Sequence, residues 1–112
     1  MSRTRTAPRI ASLALLSCLI LPVSVYAAET AVDQRDLKFV PDAVTIKAGD
    51  RVRFTDSDHI THNITIDNPD GTSSDKGMDT FGQDIIVSFA KPGVYHVHCK
   101  IHPMMKMTIT VK

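Results

Sequence analysis

An antiparallel β-sandwich of about seven short strands is the fold class that this sequence predicts. Three observations carry it. Apolar and polar residues alternate with a period of two in short runs, turn residues separate the runs at regular intervals, and no apolar pattern recurs at a helical period after residue 28.

The chain opens differently. Arg3, Arg5 and Arg9 precede an apolar run from Ile10 to Tyr26, broken by Ser12, Ser17, Pro22 and Ser24. Val25-Tyr26-Ala27 then places small residues at the positions that a signal peptidase reads. Residues 1–27 are therefore expected to be a secretory signal peptide cut after Ala27, with a cut after Ala28 as second choice. An uncleaved membrane anchor is the alternative. The apolar run continues past Cys18, which argues against a lipoprotein signal at that cysteine.

Residues 28–35 are polar and lack a period, and are expected to be an extended N-terminal arm; residues 36–112 form the domain. Leu37-Lys38-Phe39-Val40 reads as a strand closed by Pro41-Asp42. In Ala43–Lys47, Val44 and Ile46 share a face, and in Arg51–Thr55, Val52 and Phe54 do, with Ala48-Gly49-Asp50 as the turn between. Asp56–Thr61 is an acidic loop. His62–Ile66 is a strand ended by Asn68-Pro69-Asp70-Gly71, and Thr72–Gln83 reads as a polar connection. Asp84–Phe89, Val94–Cys99 and Lys106–Lys112 complete the strands, with Ala90-Lys91-Pro92-Gly93 as a turn.

Charge and cysteine content narrow the function. Three of the thirteen basic residues would leave with the signal, so ten basic residues would face twelve acidic ones. That balance is not a nucleic-acid binder's. No second apolar stretch is long enough to span a bilayer, so no stable membrane insertion is expected once the signal is cut. Of the two cysteines, Cys18 would be lost with the signal, leaving Cys99 without a disulfide partner. An unpaired cysteine in an oxidising compartment is a flag for a reactive thiol or a metal ligand.

The neighbours of Cys99 favour the metal. Cys99-Lys100-Ile101-His102-Pro103-Met104-Met105 holds a thiol, an imidazole and thioethers within seven residues. Strand alternation puts His62 on the face of Ile64 and Ile66, and Cys99 on the face of Tyr95 and Val97, so both end core-facing rows. His96 and His98 fall on the opposite, solvated face, and His59 lies in an exposed loop. Structural zinc asks for four strong ligands, and thioether is a poor one. Two imidazoles, one thiolate and a weak methionine are a blue-copper set. A Cys–His nucleophilic enzyme is the other chemistry available to Cys99, but no oxyanion-hole motif accompanies it, so the chain is not expected to be an enzyme.

The C-terminal motif, Gly93-Val94-Tyr95 followed by Cys99-x-x-His102 and then Met105, resembles the small cupredoxins, the plastocyanin, pseudoazurin and amicyanin group, and amicyanin above all. Phe39-x-Pro41, Val44-x-Ile46-x-x-Gly49-Asp50-x-Val52-x-Phe54 and His62-Asn63-Ile64 resemble the upstream half of the same family. The resemblance implies a Greek-key β-sandwich with one type 1 copper near its loop-rich end, held by His62, Cys99 and His102. It implies Met105 as the axial ligand on amicyanin-like spacing, with Met107 as the plastocyanin-like alternative. Met104 would then face solvent, Asn63 would donate its backbone N–H to the cysteine sulfur, and Phe39 and Phe54 would wall the site. The expected role is a monomeric periplasmic one-electron carrier. It would dock redox proteins (a c-type cytochrome, dehydrogenase or oxidase) through the apolar patch of His102, Pro103 and Met104. Copper delivery or sequestration is the alternative, motivated by His59, His96, His98, Met104 and Met107. Two features depart from the resemblance: the chain has no Trp, and the 56–61 loop is acidic.

Overall fold

The computed structural model describes residues 2–22 and 27–112. Residues 2–22 carry no regular secondary structure and are exposed, and no helix among the described residues is long and apolar enough to cross a membrane. Most of the predicted cleavage motif lies outside the described residues.

Among the described residues nine strands follow: β1 (Glu29–Arg35), β2 (Lys38–Val40), β3 (Ala43–Ile46), β4 (Arg51–Asp56), β5 (His62–Asp67), β6 (Ser73–Asp79), β7 (Asp84–Ser88), β8 (Gly93–His98) and β9 (Lys106–Val111). They form two sheets, ordered β2-β1-β4-β7 and β3-β9-β8-β5-β6. The all-β sandwich is as predicted, with two strands more than expected. It is also not wholly antiparallel, because β1 pairs in parallel with β4, and β3 with β9.

Both extra strands correct the sequence reading. Residues 29–35 are not a free arm: β1 pairs with β2 and β4 inside its sheet. Its inward positions are Val32 and Gln34, so an apolar alternation was absent although the backbone pairs fully. The expected connection 72–83 contains β6, an edge strand against β5 whose residues are mostly polar and outward. Both strands are held by ladder hydrogen bonds more than by burial of their own side chains.

The core is built as the alternation dictates. Val52 and Phe54 of β4 meet Ile64 and Ile66 of β5, Tyr95 and Val97 of β8, and Met107, Ile109 and Val111 of β9 in one buried cluster. Phe39 and Phe54 pack edge to face at 6.2 Å between centroids. Tyr95 caps one end, donating its hydroxyl to the Lys91 carbonyl at 2.8 Å. Gly93 opens β8 at φ 148°, where a Cβ would stand 2.6 Å from Cγ of Pro69. Only glycine avoids both the backbone strain and the collision.

Topology then brings the distant candidates together. Strand β8 runs antiparallel to β5 and to β9. The start of β5, the end of β8 and the start of β9 therefore lie at one end of one sheet. His62 begins β5, Cys99 follows β8, and Met105 precedes β9.

Candidate metal centre

His62, Cys99 and His102 converge there. Nδ1 of His62 lies 3.1 Å from Nδ1 of His102, and the Cys99 sulfur lies 3.6 Å from the same His102 nitrogen. Nitrogen and sulfur donors at roughly 2.0–2.3 Å from one tetrahedral ion stand about 3.3–3.6 Å apart, so His102 already stands near the spacing of a shared ion from both other donors. Among the described residues they are the only group of three His, Cys, Asp or Glu donors found within 4.8 Å of one another. His62 and Cys99 are fully buried and His102 is half-buried.

The loop from Cys99 to Met105 is closed by its own backbone. The Met105 N–H donates to the His102 carbonyl at 2.9 Å, and the Cys99 N–H donates to the Met105 carbonyl at 3.2 Å. Met105 is wholly buried. Met104 beside it is 67% exposed, as expected, and Met107 opens the core row of β9.

Asn63 behaves as expected and does more. Its backbone N–H donates to the Cys99 sulfur at 3.3 Å, a bond that fixes where the sulfur sits. Its side-chain amide donates to Oδ1 of Asp75 and to the Gly77 carbonyl, both at 3.0 Å, while its Oδ1 accepts from the Lys100 N–H at 3.2 Å. The Lys100 ammonium, aided by the Gly77 N–H and the Asn63 amide, holds the Asp75 carboxyl down to about 2. Asn63 thus ties β6 to the first turn of the cysteine loop.

Sequence reasoning missed Asp58. The acidic loop counted as a departure, yet Oδ2 of Asp58 turns inward to Nε2 of His62 at 2.8 Å. The same carboxylate accepts the N–H groups of Asp36 at 2.8 Å and Leu37 at 3.2 Å. Those two residues form the β1–β2 turn at φ 55° and 58°, the primed hairpin conformation. Burial opposes charge on Asp58, but the Asp36 N–H, the His62 ring and the Leu37 N–H together hold its carboxyl below the usual range. An acid four residues before a candidate ligand histidine was the only signal available.

A buried polar plug was also missed. Gln34 donates to Oδ2 of Asp79 at 2.6 Å, and Asp79 is the cross-strand partner of His62. Asp56, the partner of Gln34 across β1 and β4, is buried too. Burial pushes the carboxyls of Asp56 and Asp79 up.

The remaining histidines divide. His96 is exposed, as expected, whereas His98 is half-buried and sits 3.1 Å from the Asp67 carboxylate. The expectation of a freely solvated His98 is therefore corrected: Asp67 of the neighbouring strand reaches it. His59 is exposed and stacks on Phe81 at 4.1 Å.

Comparison with known proteins agrees with this geometry. The family model for copper binding proteins of the plastocyanin/azurin family matches residues 26–112. Plastocyanin of Ulva pertusa is 33% identical over 90 residues, which span 71% of this chain and 92% of that protein. Pseudoazurin of Methylorubrum extorquens is 36% identical over 109 residues, spanning 90% of this chain and 71% of that one. The crystal structure of amicyanin from Paracoccus versutus superposes with a TM-score of 0.70 at 27% identity, covering 79% of this chain and 85% of that one. The donor set fits the metal of that family, because one thiolate with two imidazoles in a largely buried pocket selects copper. The chain belongs to the plastocyanin/azurin family of copper-binding proteins, the cupredoxins.

Proposed function

We propose that this chain is a periplasmic one-electron carrier that holds one copper ion between Nδ1 of His62, Sγ of Cys99, Nδ1 of His102 and the Met105 thioether. When bound, the copper supplies a Cu(II)/Cu(I) couple. The observation that carries the reading is the convergence of three donor atoms in a site already braced by Asn63 and Asp58. Donors fixed beforehand move little when charge changes, and small movement is what fast electron transfer needs.

His62 and Cys99 are shut away from water, and His102 alone of the three reaches towards the surface. Around it Ile101, Pro103 and Met104 are exposed in one loop. That loop suits a transient apolar contact with a redox protein of the c-type cytochrome, dehydrogenase or oxidase class. The basic and apolar N-terminus, residues 1–27, supports export with removal of the leader.

The test is to load the purified protein with Cu(II) and record absorption and EPR spectra, then repeat with His102→Gly. The carrier reading requires an intense thiolate-to-copper absorption band, reversible redox, and altered spectra and slower transfer in the variant. A nearly colourless protein that prefers Cu(I) and hands it to an acceptor would replace it with copper delivery. Native spectra and rates in His102→Gly would remove His102 from the site.

A further inference from the structure

A second group of metal-ligating side chains lies on the outer face of the larger sheet, sharing no donor with the first. His96 and His98 alternate onto that face of β8. On the adjacent strand β5, Asp67 stands directly across from His96. Its Oδ2 nevertheless reaches diagonally to Nδ1 of His98 at 3.1 Å. Asp67 thus touches His98 and shares a cross-strand position with His96, whose ring has to swing in to complete the trio. Thr108 of β9 faces His96 from the other side, and Asp42 lines the same open groove of about 670 Å³.

The separation is informative. Two donors bound to one tetrahedral ion at roughly 2.0–2.1 Å stand about 3.3 Å apart, close to the His98–Asp67 distance. His96 is exposed, and its ring can turn about two bonds towards the carboxylate opposite. Cross-strand neighbours have Cβ atoms about 4.5–5.5 Å apart, within reach of an imidazole. Lys106 pairs with His98 on β9 and brings a positive charge, but it is exposed and on a flexible stem, while Asp42 and Asp67 supply two negative charges to the groove. Ser73 donates to the other oxygen of Asp67 and fixes its orientation.

We propose that His96, His98 and Asp67 form a second, surface site for a divalent transition-metal ion. Two imidazoles and a carboxylate without thiolate suit Cu(II) or Zn(II), with Cu(II) the tighter by the usual order of stabilities. The site is open to solvent on a sheet face, so its ion keeps water ligands and gives no thiolate-to-copper colour. It makes the chain a two-metal protein in copper excess, with the outer ion on the strand that leads into Cys99.

The experiment uses protein already loaded with one equivalent of copper and adds Cu(II) alone. Calorimetry measures binding, and EPR separates the two ions. The wild type should bind a further equivalent, giving a second EPR signal with the first absorption band unchanged. His96→Ala and Asp67→Asn should weaken that step about tenfold or more while keeping the first band, which reports that each variant is folded. His59→Ala should bind as the wild type does. The proposal is overturned if the wild type takes up no second equivalent, or if His96→Ala and Asp67→Asn take it up as tightly as the wild type. The comparison between variants stands whatever the role of the first site.

Discussion

Nε2 of His62 lies 2.8 Å from Oδ2 of Asp58, while Nδ1 of the same ring faces His102 at 3.1 Å. One ring nitrogen is thus committed to a carboxylate, which leaves the other as a lone-pair donor towards the cluster. Outer partners of this kind hold a ligand ring in one orientation.

Asp58→Asn should therefore weaken copper binding by about 10–100-fold, measured by competition with a chelator. Asp58→Ala should also lower the melting temperature, because the N–H groups of Asp36 and Leu37 lose their acceptor. An Asp58→Asn protein with native affinity would show that the ring is oriented by packing alone.

Met105 and Met107 are both buried, at 0% and 3% exposure, so truncating either opens a cavity. Each methionine-to-alanine change should cost about 2–5 kcal/mol of folding stability in the copper-free protein. Only Met105→Ala should also shift the reduction potential and the absorption spectrum. A spectral change confined to Met107→Ala would transfer the axial role to that residue.

Gly93→Ala forces a Cβ to 2.6 Å from the Pro69 ring, at a φ of 148°. The cost should be about 1–3 kcal/mol, as for overpacking elsewhere, read from urea unfolding. The copper spectrum should stay native, because the strain sits at the far end of β8 from Cys99.

Two carboxylates give pH dependence of opposite sign. Burial holds the Asp79 carboxyl above its ordinary value of 3.8, so the folded chain binds that proton more tightly than the unfolded one. Stability is then lost as pH rises from 3.8 through the raised value. Asp75 is held at about 2 by Lys100, so its contribution is present above 3.8 and is lost as pH falls through about 2. Urea unfolding of the copper-free protein between these limits should show Asp79→Asn flattening the first trend and Asp75→Asn the second. Slopes identical to wild type in both variants would refute the assignment.

Much of the fold was legible because most strands bury one face. Val44 with Ile46, Val52 with Phe54, and Tyr95 with Val97 announce their strands by period alone. β1 and β6 were not legible: one has Val32 and Gln34 inward, the other is a polar edge, and ladder hydrogen bonds leave no hydrophobic signature.

The sequence by itself determined the chemistry of the centre: a lone thiol, an imidazole and thioethers within seven residues, with a second histidine on a core-facing strand. Only the tertiary structure decided what surrounds them. Asp58 turning in to His62, Asn63 tied to Asp75, and Asp67 reaching His98 are contacts between segments distant in the chain or bent by loops. Spacing along one strand fixes which face a residue takes, but which strand lies beside it, and in what register, is set only when the two sheets close over their shared core.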